Sequence, residues 1–265
     1  MDLPASRPTL LPVDPVTALL GYSQREVAPP RAAELALLNA IDLPADGRVI
    51  DLGCGAGALL PHLLARVPRG EVVAVDIDEA ALETARATGP VQTVHAWANA
   101  LPLPGGIADL IVLRHLLAHH AAPREVLAEA YRLLRPGGWV FLVDGDDSGL
   151  LLHPEPPGLP RLLGAAAQSQ RHHGGDRAIG RKLGGLLRLE GYEGVGVEVL
   201  AHTALGEGLS AFVEEELRPL SHLIDAADMA PAEVHALIAM AQGLARKPAA
   251  FGQALTYVAQ GRRPG

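Results

Sequence analysis

Residues 49–57 read Val-Ile-Asp-Leu-Gly-Cys-Gly-Ala-Gly, an apolar strand that runs into a glycine-dense turn and then a helix. Glycine suits such a turn because the chain bends sharply and because a Cβ would collide with a ligand lying on the backbone. The turn is therefore read as a ligand cradle, and two ligand chemistries compete for it. Gly53-x-Gly55-x-x-Ala58 satisfies the loose dinucleotide fingerprint, with Asp76, 19 residues beyond Gly57, as a ribose acceptor. Against that reading stands Asp51, two positions before the first glycine, whose carboxylate repels a pyrophosphate and suits a cationic, phosphate-free ligand. A second chemical cluster is Arg114-His115-Leu116-Leu117-Ala118-His119-His120. Histidine accepts a proton near neutral pH without a large pKa shift, and on a helix His115 and His119, four residues apart, share one face. That spacing also fits a metal pair, but no further ligands form a recognisable motif, so no metal is expected.

These groups need elements to carry them. From Arg48 onward, short strands apolar on both faces alternate with helical stretches, the pattern of parallel βαβ units. Strands are expected at 48–52, 71–76, 91–95, 108–113, 138–144, 194–201 and 251–259, with helices near 57–67, 78–88 and 121–134. Strands buried on both sides require helices on both faces. The expected fold is therefore α/β: a doubly wound, Rossmann-like, seven-stranded, mostly parallel sheet with helical lid insertions. Proline-rich residues 1–15 are read as a flexible arm, 16–47 as an N-terminal helical segment, and 48–265 as the main domain, its helical cover drawn from 145–178 and 206–248. In that cover Pro219 should kink or end a helix over 208–224, and Pro231 suits the first turn of the next.

The glycine turn resembles the first motif of the class I S-adenosylmethionine-dependent methyltransferases of the small-molecule type, acid-x-Gly-x-Gly-x-Gly, filled by Asp51, Gly53, Gly55 and Gly57. Three further segments agree with this resemblance, which runs from about residue 20 to 260. In Val72-Val-Ala-Val-Asp76-Ile77-Asp78, the resemblance implies that Asp76 receives the two ribose hydroxyls and Ile77 lies against adenine, while Asp78 caps the following helix. Trp97-Ala98-Asn99-Ala100-Leu101-Pro102 resembles the adenine-binding element, but Trp97 stands where the family has an acid, so stacking, backbone groups around Ala98, or Asn99 would replace that contact. Arg135-Pro136-Gly137-Gly138 before Trp139 resembles the family's turn into the fifth strand. The implied cofactor is S-adenosylmethionine, with S-adenosylhomocysteine as product. It is held by Asp51, Gly53, Cys54, Gly55, Asp76, Ile77, Trp97, Ala98 and Arg114, with Tyr22 and Arg31 as N-terminal candidates for its methionine end.

Composition bounds the partners. The chain has 265 residues, 49% apolar and 20% charged, with mean hydropathy +0.19, a globular profile. A net charge of −8 and only two Trp, four Tyr and three Phe argue against nucleic acid. No apolar run reaches the roughly 18 residues that span a bilayer. A soluble, cytoplasmic protein is expected. The single cysteine, Cys54, excludes an internal disulfide. Methyl transfer needs alignment of an acceptor and sometimes a base, for which His115 and His119 are the candidates. The Leu- and Ala-rich cover suggests a small acceptor of apolar or mixed character, methylated on oxygen, nitrogen or carbon. A cofactor-binding protein of the same fold with a non-methylating role, such as cyclisation or binding alone, is the alternative. A nicotinamide oxidoreductase is disfavoured by Asp51. Oligomeric state is not readable from the sequence.

Overall fold

A computed structural model describes residues 29–265; the expected arm and the rest of the chain before residue 29, including Tyr22, lie outside them. Among the described residues one sheet is formed by β1 (Arg48–Leu52), β2 (Glu71–Asp76), β3 (Gln92–His95), β4 (Ala108–Arg114), β5 (Leu134–Gly145), β6 (Leu151–His153), β7 (Glu193–Leu205) and β8 (Phe251–Arg262). Its order is β3-β2-β1-β4-β5-β8-β6, with β7 also paired to β8. The pairs among β1 to β5 are parallel, whereas β8 runs antiparallel to β5, β6 and β7. The strand not expected from sequence is β6, whose three residues are too few to show a periodicity.

Side chains alternate across the pleat, and the sequence supplies apolar residues for both faces. Val49, Val72, Ala74, Leu110 and Val112 pack on one side with Leu38 of α1 (Ala32–Asn39), Leu60 and Leu63 of α2 (Leu60–Arg66) and Ala85 of α3 (Glu79–Arg86). Ile50, Leu52, Val73, Val75, Ile111 and Leu113 pack on the other with Leu127 and Leu133 of α4 (Pro123–Leu133) and a later helix described below. Each such leucine, when fully buried, contributes about 1.5–3 kcal/mol relative to exposure.

Asp78 caps α3, its Oδ1 accepting from the amides of Ala80 at 2.9 Å and Ala81 at 3.4 Å. The Pro-Gly-Gly segment is a loop within β5 rather than a turn before it. Leu134 pairs with Ala108 and Trp139 with Leu110, so residues 135–138 bulge out opposite Asp109. Gly137 sits there at φ +79°, a left-handed conformation natural to glycine.

The remaining helices are α5 (Leu159–His172), α6 (Leu183–Leu189), α7 (Leu209–Glu216), α8 (Leu220–Leu223) and α9 (Pro231–Gln242). Leu183 and Leu187 of α6 join the core of the sheet. By contrast, Leu162 of α5, Phe212 and Val213 of α7, Leu220 of α8 and Ile238 of α9 build a separate core with β6 and the start of β8. The expected helix over 208–224 is broken at Leu217–Pro219, as a proline lacking an N–H favours, and Pro231 opens α9. Among the described residues no helix is long and apolar enough to cross a membrane.

Candidate functional site

The strand order reverses direction between β1 and β4, the crevice where open α/β sheets hold ligands. Asp51, Asp76, Arg114 and Asp144 stand at or next to the carboxyl ends of β1, β2, β4 and β5, along this same edge. A cavity of about 280 Å³ opens above it, lined by Asp51, Gly53, Cys54, Gly55, Asp76, Ile77, Trp97, Ala98, Arg114, His115, His119 and His120, among others.

The three glycines of the turn have separate tasks. Gly53, at φ +77°, has its amide on the Val75 carbonyl at 2.8 Å, and a Cβ there would come 2.8 Å from Leu116 Cδ1. Gly57, at φ +86°, permits close packing of α2 and α3: a Cβ would lie 2.7 Å from Leu60 Cδ1 and 3.2 Å from Ala85 Cα. Gly55, at φ +51°, differs, because a Cβ there meets nothing within 4 Å. It lines the cavity, so its missing side chain leaves that space open. Its amide donates to Asp76 Oδ2 at 2.8 Å, and the Asp78 amide donates to Asp76 Oδ1 at 2.9 Å. Burial raises the pKa of Asp76 above the usual carboxylate value, opposed by the amides of Asp78, Gly55 and Ile77.

Asp51 is 2% exposed, and its Oδ2 has no hydrogen-bond partner among the described residues. Burial pushes this carboxyl up to about 7, Arg114 pulls it down, and neighbouring Asp76 adds to the rise. Arg114 is itself held by Glu34 of α1, with Nε donating to Glu34 Oε2 at 2.9 Å. A buried acceptor lacking a donor is costly unless a ligand supplies one. A cationic N–H donor in the cavity satisfies Asp51 in both hydrogen bonding and charge. Cys54 is unreactive here, since burial, with Asp51 and Asp76 beside it, pushes the thiol pKa upward.

A second cavity of about 800 Å³ lies between the sheet edge and the helical cover, and Arg114, His115 and His119 line both cavities. Its other walls include Asp144, Asp146, Asp147 and Arg177 on the sheet side and Glu214, Glu215, Glu216, Arg218 and His222 from the cover. Most of these charges are paired. Arg177 holds Asp147 through two bonds of 2.7 and 2.8 Å, Arg218 reaches Glu214 at 2.7 Å, and Arg181 binds Asp146. His115 is the non-glycine residue at positive φ (+54°) among the described residues, a strained conformation of the kind that clusters at functional sites. Burial, then the charges of Arg114, His119, Arg31 and Arg177, hold its pKa well below the ordinary histidine value, so it is neutral at pH 7.

Residues 50–142 match the family model described as a methyltransferase domain. This stretch, from β1 into β5, is similar to that family. The chain is similar to the demethylmenaquinone methyltransferase of Thermus thermophilus, at 34% identity over 43% of this chain and 52% of that protein. The chain spans about half or less of the length of that protein and of the Streptomyces fradiae transposon protein that it also matches. Among solved structures, it is similar to one from Bacillus halodurans C-125 described as a methyltransferase, with TM-score 0.59 and 19% identity over 88% of this chain and 98% of that one. It is also similar to the [4+2]-cyclase SpnF, with TM-score 0.53 and 19% identity over 88% and 80% of the two chains.

The cofactor that the resemblance implies is S-adenosylmethionine, whose demethylated product S-adenosylhomocysteine is bound in the solved structure of a Haemonchus contortus N-methyltransferase, similar to this chain with TM-score 0.58 and 14% identity over 94% of this chain and 57% of that one. The smaller cavity fits it: an orphaned buried carboxylate oxygen at Asp51, a glycine cradle that a side chain at residue 55 would fill, and an acceptor at Asp76. The fold brings Asp51, Gly53, Cys54, Gly55, Asp76, Ile77, Trp97, Ala98 and Arg114 together around this cavity, with His115 and His119 at its junction with the larger one. Trp97 is 37% exposed, open enough to stack a ring. Asn99 is engaged elsewhere, donating to Glu125 at 2.9 Å.

Arg31 is not on the smaller cavity. It lines the larger one, where its Nη2 donates to Glu215 at 2.5 Å and Glu216 at 2.7 Å, and this pair of carboxylates takes the guanidinium that sequence reading assigned to the cofactor. Tyr22 lies outside the described residues. Sequence reading missed Asp144, which lines the larger cavity. Asp144 could have been found as an acid at the carboxyl end of a central strand, like Asp51 and Asp76.

Proposed function

We propose that this chain transfers the methyl group of S-adenosylmethionine to a small-molecule acceptor bound in the larger cavity. The observation that carries this reading is the junction of the two cavities at Arg114, His115 and His119, which provides one space for a cofactor and an adjoining one for a second reactant. When bound, S-adenosylmethionine supplies a methyl carbon activated by its sulfonium. Asp76 would accept from the ribose hydroxyls, Asp51 would face the ammonium, and Ile77 and Trp97 would flank adenine. The glycine turn lets the ligand lie on the backbone. Alignment is then the main task of the protein.

The lining of the larger cavity favours an acceptor of mixed polarity. The apolar residues of α7, Leu209, Phe212 and Val213, are consumed by the core of the cover, while Glu214, Glu215 and Glu216 border the cavity. Where the acceptor must lose a proton, Asp144 suits the role better than His115. It lines the larger cavity, and burial raises its carboxyl to about 7, against the lowering effect of the Ala118, Leu117 and Gly145 amides, so its basicity matches neutral pH. His115, whose pKa is depressed, is a weaker base.

Calorimetry with S-adenosylmethionine, S-adenosylhomocysteine and NAD tests the cofactor assignment: the first two should bind and NAD should not. Mass spectrometry of reactions with candidate acceptors then tests the transfer. A cofactor that binds but is never demethylated would favour the non-methylating alternative, which the likeness to SpnF keeps in view because fold does not fix chemistry.

A further inference from the structure

His120 lines the smaller cavity, two residues before the N-cap of α4, and nothing argued so far uses it. Its Nδ1 accepts the amide hydrogen of Ala122 at 3.2 Å. A nitrogen that accepts carries no proton, so the ring is neutral and bears its hydrogen on Nε2. Burial, opposed by the charge of Glu125, lowers the pKa of this histidine and favours the same neutral form at pH 7. Yet Nε2 is shut off from solvent and has no hydrogen-bond partner among the described residues. A buried N–H without an acceptor is costly, and a ligand in the cavity is what can bring one.

The start of α4 also shows which end of the cavity this donor serves. Glu125, in its first turn, accepts from Asn99 Nδ2 at 2.9 Å, and Glu129 accepts the Leu101 amide at 2.8 Å. Ala98 and Leu101 share a core with Leu127. His120 and the Trp97–Ala98 segment are thus held by one helix and border one cavity. Trp97 stands where the resemblance expects an acid. A carboxylate at position 97 would accept from the exocyclic amine of adenine, the one N–H donor group left once ribose occupies the base. An indole N–H only donates and cannot do this. The ring nitrogens of the base are acceptors, and they suit a side chain that donates.

We propose that His120 is a specificity-determining residue of the smaller cavity, its Nε2–H donating to a ring nitrogen of the cofactor's purine. The base is then selected through a ring acceptor, where an acid at position 97 would select it through the amine. Trp97 supplies stacking area and His120 supplies direction. The purine as the occupant rests on the S-adenosylmethionine reading, whereas the tautomer of His120 does not. The bond to the Ala122 amide prepays the orientation of the ring, so little freedom is left to lose when the ligand arrives.

Long-range proton–nitrogen NMR on the ¹⁵N-labelled full chain without ligand reads the tautomer, with the His120 signals assigned by their loss in His120→Phe. The expected spectrum has Nδ1 at the shift of an unprotonated ring nitrogen and Nε2 at that of a protonated one. The Nδ1–H form, or a doubly protonated ring at pH 7, overturns the proposal. Calorimetry then compares S-adenosylhomocysteine with its 1-deaza, 3-deaza and 7-deaza analogues, each of which replaces one ring acceptor by C–H. At least one of them should bind the wild type about fivefold or more weakly than the parent, the worth of one hydrogen bond. His120→Phe removes the donor. His120→Asp removes it too, while its carboxylate can still accept the Ala122 amide as an Asx turn, and melting curves verify the fold of both variants. In both, that penalty should vanish. A wild type indifferent to all three replacements, or folded variants that keep every penalty, overturns the role of His120. A chain that binds no S-adenosylhomocysteine at all refutes the methyltransferase reading, and the purine assignment falls with it.

Discussion

The amide of Gly55 and the carboxylate of Asp76 are joined by a 2.8 Å hydrogen bond that spans 21 residues and ties the glycine turn after β1 to the end of β2. One oxygen of Asp76 therefore shapes the cradle while the carboxylate also faces the cavity it helps to form. Asp76→Ala should weaken S-adenosylmethionine binding by about 1.5–3 kcal/mol, the range for hydrogen bonds to charged groups, and lower the melting temperature by loosening the turn. Calorimetry and thermal melting measure both, and unchanged affinity would refute the ribose assignment.

Asp51 should trade stability for binding. Its folded pKa, raised to about 7, exceeds the unfolded value near 4, so the folded state holds a proton that the unfolded chain has released between those values. Its contribution to stability is therefore fully present below about pH 4, declines as pH rises toward 7, and levels off above. Asp51→Asn removes the titration, so the ligand-free variant should gain on the wild type by about 1.4 kcal/mol per pH unit at most across that window. It should bind S-adenosylmethionine more weakly. Denaturant melts at pH 4, 6 and 8 decide the matter, and parallel curves for the two proteins would count against the buried titration.

The glycines should separate folding from binding. Gly57→Ala drives a methyl against Leu60 and the backbone of Ala85, so it should lower the melting temperature markedly. Gly55→Ala meets no protein atom and should cost only roughly 1–2 kcal/mol for its left-handed backbone, while losing most cofactor affinity. Melting and titration of the two variants side by side test this contrast.

Asp144→Asn should reduce turnover of a protonated acceptor by about 10²-fold or more, the usual worth of a general base. Because the base acts when deprotonated, the wild-type rate should rise as pH passes about 7, and the variant should lack that rise. A variant that keeps both rate and profile would remove Asp144 from the chemistry and leave it as the clamp on Leu117 and Ala118.

Much of the smaller cavity was legible in the sequence because its residues sit within a few positions of strand ends. Once β1 and β2 are read from their apolar runs, Asp51, Gly53, Gly55 and Asp76 fall on the carboxyl edge by chain continuity alone. The charged wall of the larger cavity was not legible. The run Leu209 to Leu220 reads only as part of a leucine-rich cover, whereas in the structure its leucines and Phe212 pack with α5 and α9, leaving Glu214, Glu215 and Glu216 beside the cavity. Arg31 was misplaced for a related reason: its partners, Glu215 and Glu216, are more than 180 residues away.

The sequence by itself determined the alternation that makes the sheet, the turn that bends where glycines allow φ above zero, and the acids at the ends of β1 and β2, since these follow from side-chain periodicity and backbone sterics along neighbouring residues. Only the tertiary structure decided that Asp51 is buried enough to titrate near 7, that Asp144 shares that condition, and that Glu215 and Glu216 hold Arg31. Desolvation and hydrogen-bond direction depend on which distant groups surround an atom, and that is a property of the packed chain rather than of its order.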